Sequence, residues 1–200
     1  QMEGEEGESL LTPLNGDRDE IALHQNQVEH IKQLAIHGAR IVLVVTGGSP
    51  IALGEVEELV EAIIFVWYPG MEGGKAVADV LFGDVSPAGK LPLTFPKSME
   101  QLPPFEDYNM AGRTYRYMTE KPLYPFGFGL SYTTFEISNL RQNRVSIARG
   151  ESVEISVDVA NTGQQAGDEV VQLYVHDEVA ALTRPTKELK GFCRVHLQPG

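Results

Sequence analysis

Hydrophobic positions fall into two textures along this chain. Between residues 21 and 36, Ile21, Leu23, Val28, Ile31, Leu34 and Ala35 recur at roughly helical spacing, and Gly38 supplies a stop. Residues 41–45 (IVLVV) form a continuous, mostly β-branched run, the pattern of a parallel strand buried on both faces. Gly47-Gly48-Ser49-Pro50 ends that run, and a helix is predicted over 55–61. Residues 62–67 read as a second buried strand, Tyr68-Pro69-Gly70 as a break, and 72–82 as another helix. Strands alternating with helices indicate α/β layering on a parallel sheet. Two or three strands are too few for a complete sheet of that kind, so further strands are expected to precede residue 1.

Residues 83–132 lose periodicity and gain proline, glycine and aromatic side chains. A connection of this length without regular structure is usually functional or packed across a neighbour. Beyond Phe135 strict alternation takes over. Val153, Ile155, Val157 and Val159 share one face of a strand, and Val171, Leu173 and Val175 share a face of the next. Turns are predicted at Asn161-Thr162-Gly163 and at 165–167, with strands at 189–192 and 194–197 closing the pattern. Four or five strands resemble an incomplete β-sandwich of the fibronectin type III kind, for which roughly seven are expected. The fold class is therefore α/β followed by β. A partial α/β sandwich occupies 1–96, an aromatic, Pro- and Gly-rich inter-domain linker 97–135, and a truncated fibronectin-like domain 136–200.

Composition narrows the function more than the fold. A formal charge of -12 over 200 residues argues against nucleic acid, which requires clustered Lys and Arg. The apolar runs 41–45 and 62–67 are too short to cross a bilayer. Cys193 is the single cysteine, so no internal disulfide forms, and its strand position predicts a packed thiol. The chain opens on Gln1 with no export signal and stops just after a strand, so both ends are expected to be cuts in a longer protein. His24, His30, His37, His176 and His196 show no metal-ligand spacing. The loop at 47–50 lacks the Lys-Ser/Thr of a phosphate cradle, and the glycines at 70, 73 and 74 suit helix-on-strand packing. No cofactor or metal is implied.

Carboxylates crowd the opening, with Glu3, Glu5, Glu6 and Glu8 interspersed by Gly4 and Gly7. Carboxyl groups in one loop raise each other's pKa, as a proton donor near neutral pH requires. A solvated acidic surface is the bland reading of the same run. Asp107-Tyr108-Asn109-Met110 and Arg113 to Tyr117 mix aromatics with hydrogen-bonding groups, which suits either a sugar or cement between domains.

Three stretches are more specific: GKAVADVLFGDVSPAGKLPLTFP at 74–96, GRTYRY at 112–117 and YPFGFGLSYTTF at 124–135. Together they resemble the C-terminal part of glycoside hydrolase family 3, the retaining β-glucosidases and β-xylosidases, and the resemblance covers essentially the whole chain. It implies an exo-acting β-glycosidase with an oligosaccharide or glycoside substrate and an extracellular or periplasmic location. The family carries its acid/base Glu as Gly-Glu followed by Asp-Arg. Here Gly4-Glu5 precedes Gly16-Asp17-Arg18, which assigns that role to Glu5, with Glu3 and Glu6 as alternatives. Asp17-Arg18 is expected to anchor the loop. Where the family has Gly-Glu-Gly-Tyr this chain has Glu6-Gly7, so the leaving-group subsite departs from the pattern. The nucleophilic Asp belongs to an N-terminal barrel domain, a partner with no counterpart in this chain, and the isolated chain is expected to be inactive. A non-catalytic carbohydrate-binding or adhesion module is the rival reading.

Overall fold

The computed structural model describes residues 20–200. The acidic candidates Glu3, Glu5 and Glu6, together with Asp17-Arg18, lie outside the described residues. The chain forms two compact units whose sequences interleave. One holds the described residues through Ala78, residues 91–128 and residues 176–188; the other holds 79–90, 129–175 and 189–200.

In the first unit, helix α1 spans Gln25–Ile36. The helical spacing predicts a start near Ile21, but Ile21 and Ala22 are extended instead. Ala22 pairs in parallel with Ala52, and the Ala52 amide donates to the Ile21 carbonyl at 2.8 Å. A ladder contact distant in sequence thus overrides local helix propensity. The stop at Gly38 is where expected. Its φ of +74° lets its amide reach the Ala35 carbonyl at 2.9 Å while Ala39 caps Leu34. Strands β1 (Val42–Val45) and β2 (Ala62–Phe65) pair in parallel, Val45 opposite Phe65. A 3-10 helix, Gly54–Leu59, replaces the α-helix predicted there, and α2 runs Gly73–Leu81. Ile31, Val45, Ala52, Leu53, Val56 and Phe95 are buried at the centre of this unit. β1 is not buried on both faces: Val45 is enclosed, whereas Val42 and Val44 are exposed. The run is apolar enough for a doubly covered sheet, but the described residues cover only one of its sides.

Segment 91–128 holds two short turns of helix, Met99–Gln101 and α3 (Thr114–Tyr117). Its return is fixed by backbone pairing. Phe95 donates to Tyr124 at 2.9 Å and accepts from it at 3.2 Å, and the Gly127 amide reaches Leu91 at 2.7 Å.

The second unit is built on strands β3 (Phe135–Gln142), β4 (Ile155–Asn161), β5 (Gly167–Val175) and β6 (Glu188–Leu197). β3 and β4 pair antiparallel, and β5 pairs with β6. Alternation alone does not outline β3, because its register shifts between Ser138 and Arg141, with Asn139 at a φ of 52°. Arg141 forks onto Asp158 across the bulge and Asn139 joins it at 2.8 Å, so Asp158 is held far below the ordinary carboxylate range, by Arg141 first and Asn139 second. β6 is one strand rather than the two short ones expected at 189–192 and 194–197. Cys193 is exposed on it, which corrects the expectation of a packed thiol. Phe192 and Arg194 beside it are exposed as well, so this stretch of β6 is an open surface.

Hydrogen bonding organises the interior of this unit. Asn161, almost fully buried, accepts from Thr133 at 2.6 Å and from the Gly163 amide, and donates to the Gln165 and Leu197 carbonyls. Lys90 meets Glu169 at 3.0 Å with side-chain exposures of 15% and 14%, and its ammonium also donates to the Gly129 carbonyl at 2.9 Å. Gly129 is obligatory there, since a Cβ would lie 2.0 Å from the Gly89 carbonyl oxygen.

Removing one partner of a mostly dehydrated ion pair strands the other charge. Glu169→Ala is expected to lower stability by roughly 2–4 kcal/mol in urea denaturation. Lys90→Met in the same background should recover part of that loss, because it removes the stranded ammonium.

Candidate active site

Local chemistry in the first unit concentrates where β1 and β2 end. Past the last paired residues the two chains stay bonded: the Val66 amide donates to Val45 at 2.9 Å and the Gly47 amide to the Trp67 carbonyl at 3.3 Å. Loop 46–50 and the turn after Trp67 therefore leave the carboxyl ends of a parallel pair together. Open α/β sheets bind their ligands at such ends. Trp67 has a φ of 52°, a left-handed conformation that is an outlier for so bulky a residue. Its indole meets Phe65 edge-on at 4.5 Å and Phe95 at 6.4 Å. Phe95 also meets Phe65 at 5.1 Å. Pro69 then packs over the first residue of α2, where a Cβ on Gly73 would come within 2.5 Å of its ring.

Tyr124 extends this cluster. Its ring stacks on Phe128 at 5.3 Å and its hydroxyl donates to Glu57 at 2.8 Å. Burial first, and the Glu57 carboxylate second, push the Tyr124 pKa well above that of a free phenol.

The GRTYRY segment supports a loop rather than presenting free hydrogen-bonding groups. The Arg113 guanidinium donates to the carbonyls of Pro104, Asp107 and Asn109, and Thr114 sits at a φ of 53°. Asp107 accepts from the Asn109 amide at 2.9 Å and from its side chain at 2.7 Å. The backbone donor first, then the side chain, holds the Asp107 carboxyl below its usual range, so it is an anion and no proton donor near neutral pH. Tyr115 stacks on Phe126 at 4.2 Å, with Arg116 5.9 Å above its ring and 3.7 Å from Glu188. All of these partners lie within the first unit.

Other carboxyls are displaced the same way. Glu61 is lowered chiefly by Arg40, Glu100 by Ser98, and Asp168 by His196 and then Arg194. Glycosidic proton donation needs the opposite shift. Among the described residues no group of His, Cys, Asp and Glu side chains is arranged to hold a metal ion, and no helix is long and apolar enough to cross a membrane.

Residues 1–132 match the glycosyl hydrolase family 3 C-terminal domain, and residues 169–200 a fibronectin type III-like domain. The chain belongs to glycosyl hydrolase family 3. This family 3 chain is 43% identical over 195 residues to a periplasmic β-glucosidase of Salmonella typhimurium, covering 92% of itself and 26% of that relative. It is 44% identical over 201 residues to a xylan 1,4-β-xylosidase of Xylanibacter ruminicola, covering 98% of itself and 23% of the relative. A solved β-glucosidase of Erythrobacter marinus superposes with a TM-score of 0.84 at 41% identity, over 96% of this chain and 26% of that one. The family 3 chain thus spans about a quarter of the length of the relatives it matches.

Two of the motifs that marked the family in sequence contribute to this end of the first unit: 74–96 supplies the start of α2 and Phe95, and 124–135 supplies the Tyr124 return at 124–128. The strain at Trp67 and the Tyr124–Glu57 bond escaped sequence reasoning. Only the Pro69-Gly70 turn signal hinted at the first, and no local signal marks the second.

Tyr124→Phe is expected to cost about 1 kcal/mol, the worth of a partly screened hydrogen bond to a charged acceptor. A pKa raised in the folded state adds stability in full below the unfolded phenol value, near 10, and loses it as pH rises through the folded value. The difference in melting temperature between wild type and Tyr124→Phe should therefore hold steady up to about pH 10 and shrink above it.

Proposed function

We propose that this chain is the C-terminal portion of an exo-acting, retaining β-glycosidase, a β-glucosidase or β-xylosidase that removes terminal non-reducing sugars in carbohydrate catabolism. Its family 3 membership over residues 1–132, together with more than 40% identity to a named β-glucosidase and a named β-xylosidase, carries the reading. On this reading residues 1–96 belong to the α/β sandwich, 97–135 link it onward, and 136–200 belong to the fibronectin-like domain. A periplasmic or extracellular location accords with the named Salmonella relative.

Retention requires two carboxyl groups with opposite duties about 5–5.5 Å apart. One attacks the anomeric carbon as an anion. The other gives its proton to the leaving oxygen, then takes one from the water that releases the sugar. Glu5 takes the acid/base duty, with Glu3 and Glu6 as the alternatives for it, while the nucleophilic Asp comes from an N-terminal barrel beyond this chain. Mutual repulsion among the four glutamates of residues 3–8 supports a raised pKa there. Asp107, pulled downward by Asn109, is unsuited to the task.

Kinetics of the full-length protein bearing this chain test the assignment on aryl β-glucosides and β-xylosides. Glu5→Ala should lower turnover by about 10²- to 10⁴-fold on substrates with poor leaving groups. With good leaving groups, azide should restore turnover and yield a β-glycosyl azide. Unchanged kinetics would remove Glu5 from the role. The 200-residue chain alone should release no sugar, and turnover comparable to the full-length protein would overturn the division of the two carboxyls between domains.

A further inference from the structure

We propose that the connection from β5 to β6 is a processing site, where an endopeptidase preferring small aliphatic side chains cuts after Val179, Ala180 or Ala181. The two resulting chains stay paired through β5 and β6. This goes beyond the glycosidase reading and does not depend on it.

The first observation is the state of the backbone. Residues 176–184 are all exposed and belong to no helix or strand. None of residues 176–185 makes a hydrogen bond or an ion pair with another described residue. An endopeptidase takes its substrate as an extended strand and bonds several consecutive N–H and C=O groups of it. A stretch with no internal bonds to break meets that demand from the native state. Exposure alone does not. Val145 is 93% exposed, as open as Val179 at 91%, but its loop is bonded to itself. There the Asn143 amide donates to the Glu154 carbonyl at 3.1 Å, the Glu151 amide to the Ala148 carbonyl at 3.1 Å, and the Ala148 amide to the Glu151 side chain at 2.9 Å. Residues 104–113 are likewise held, by the carbonyls that Arg113 bridges.

The second observation is that both ends are fixed. β5 ends at Val175. On the far side the Thr186 amide and hydroxyl both donate to the Arg116 carbonyl, at 2.7 and 2.9 Å, and Glu188 meets Arg116 at 3.7 Å. A cut between these anchors releases neither of them. The third is side-chain chemistry. Val179-Ala180-Ala181-Leu182 is a run of small and aliphatic residues, matched to the shallow apolar pocket of elastase-like enzymes. Arg184 is the only Arg or Lys in 176–185, and Pro185 follows it, which makes that bond a poor substrate for trypsin-like enzymes.

Hydrolysis consumes one water. Its oxygen joins the carbonyl carbon, which ends as a carboxylate, and its two protons join the nitrogen, which ends as an ammonium. The pairing of β5 with β6, and the contacts of Asp168 with Arg194 and His196, then hold the product together.

The test is limited digestion of the full-length protein bearing this chain with pancreatic elastase, mapping by mass spectrometry the bonds cut within residues 1–200. A cut between Val179 and Leu182 should precede every other in these residues. Residues 1–20 contain no Val, Ala or Ile and so offer none of the preferred side chains. Replacing Val179, Ala180 and Ala181 together by Asp should slow the cut more than about tenfold, because an apolar pocket rejects a carboxylate. Val145→Asp, which alters an equally exposed valine in a bonded loop, should leave the rate unchanged. Thermal unfolding of both variants checks that the fold is kept. The cut protein should elute as one species in native size exclusion and separate only in denaturant. A first cut elsewhere in these residues, as when another domain covers the connection, would overturn the proposal. So would equal rates for the triple variant and wild type, or separation of the two chains in native buffer.

Discussion

Phe95 is the point on which the first unit turns. Only 3% exposed, its ring closes the triangle with Phe65 and Trp67 while its backbone pairs in both directions with Tyr124. Three stretches distant in sequence are therefore joined through one residue: the end of β2, the strand-like segment before Pro96, and the return at 124–128. Edge-on aromatic pairs each add about 0.5–1.5 kcal/mol beyond area burial. That is the same order as the strain stored at Trp67, so the cluster can hold the left-handed turn that the isolated dipeptide would not keep. The long aperiodic connection after residue 83 is thus structural cement for the carboxyl ends of the strands, rather than idle loop.

The second unit meets the same requirement with polar groups. Asn161 uses both sides of its amide, accepting from Thr133 and Gly163 and donating to Gln165 and Leu197, so it ties β4 to the turn after it and to the end of β6. Buried networks of this kind are stable only when every member is satisfied, which explains the tight backbone around it. Gly163 and Gly167 both approach Thr133 too closely to admit a side chain without displacement. Where the first unit is specified by ring geometry, this one is specified by donors and acceptors.

Much of this architecture was legible in the residues. The run at 41–45 and the glycine stop at 38 are local signals that the structure keeps, and of the strand read over 62–67 it forms the first four residues, Ala62–Phe65. What escaped depended on distant partners. The start of α1 yields to the Ala22–Ala52 pairing, β3 hides its alternation behind a bulge, and Cys193 is exposed because β6 is open there. The burial of β1 was misjudged for a related reason: a sequence reveals which faces are apolar, not which of them this chain covers. For the site, the motifs carried the family, but backbone strain at Trp67 leaves no trace in composition.

Hydrogen-bond donors explain why three of the described carboxyls make poor acids. Each of Asp107, Asp158 and Asp168 is met by donors, an amide, a guanidinium or an imidazole, that favour its anion. A fold that satisfies its carboxylates in this way gains order and gives up acidity near neutral pH. A general acid needs the reverse: few donors, and other carboxylates close by. Residues 3–8 meet the second condition in composition, with four glutamates and two glycines. On the proposed reading, the acid and the nucleophile of one site are drawn from separate domains. Each carboxyl can then be tuned by its own surroundings, the donor toward its acid form and the nucleophile toward its anion, until the substrate brings them to a common bond.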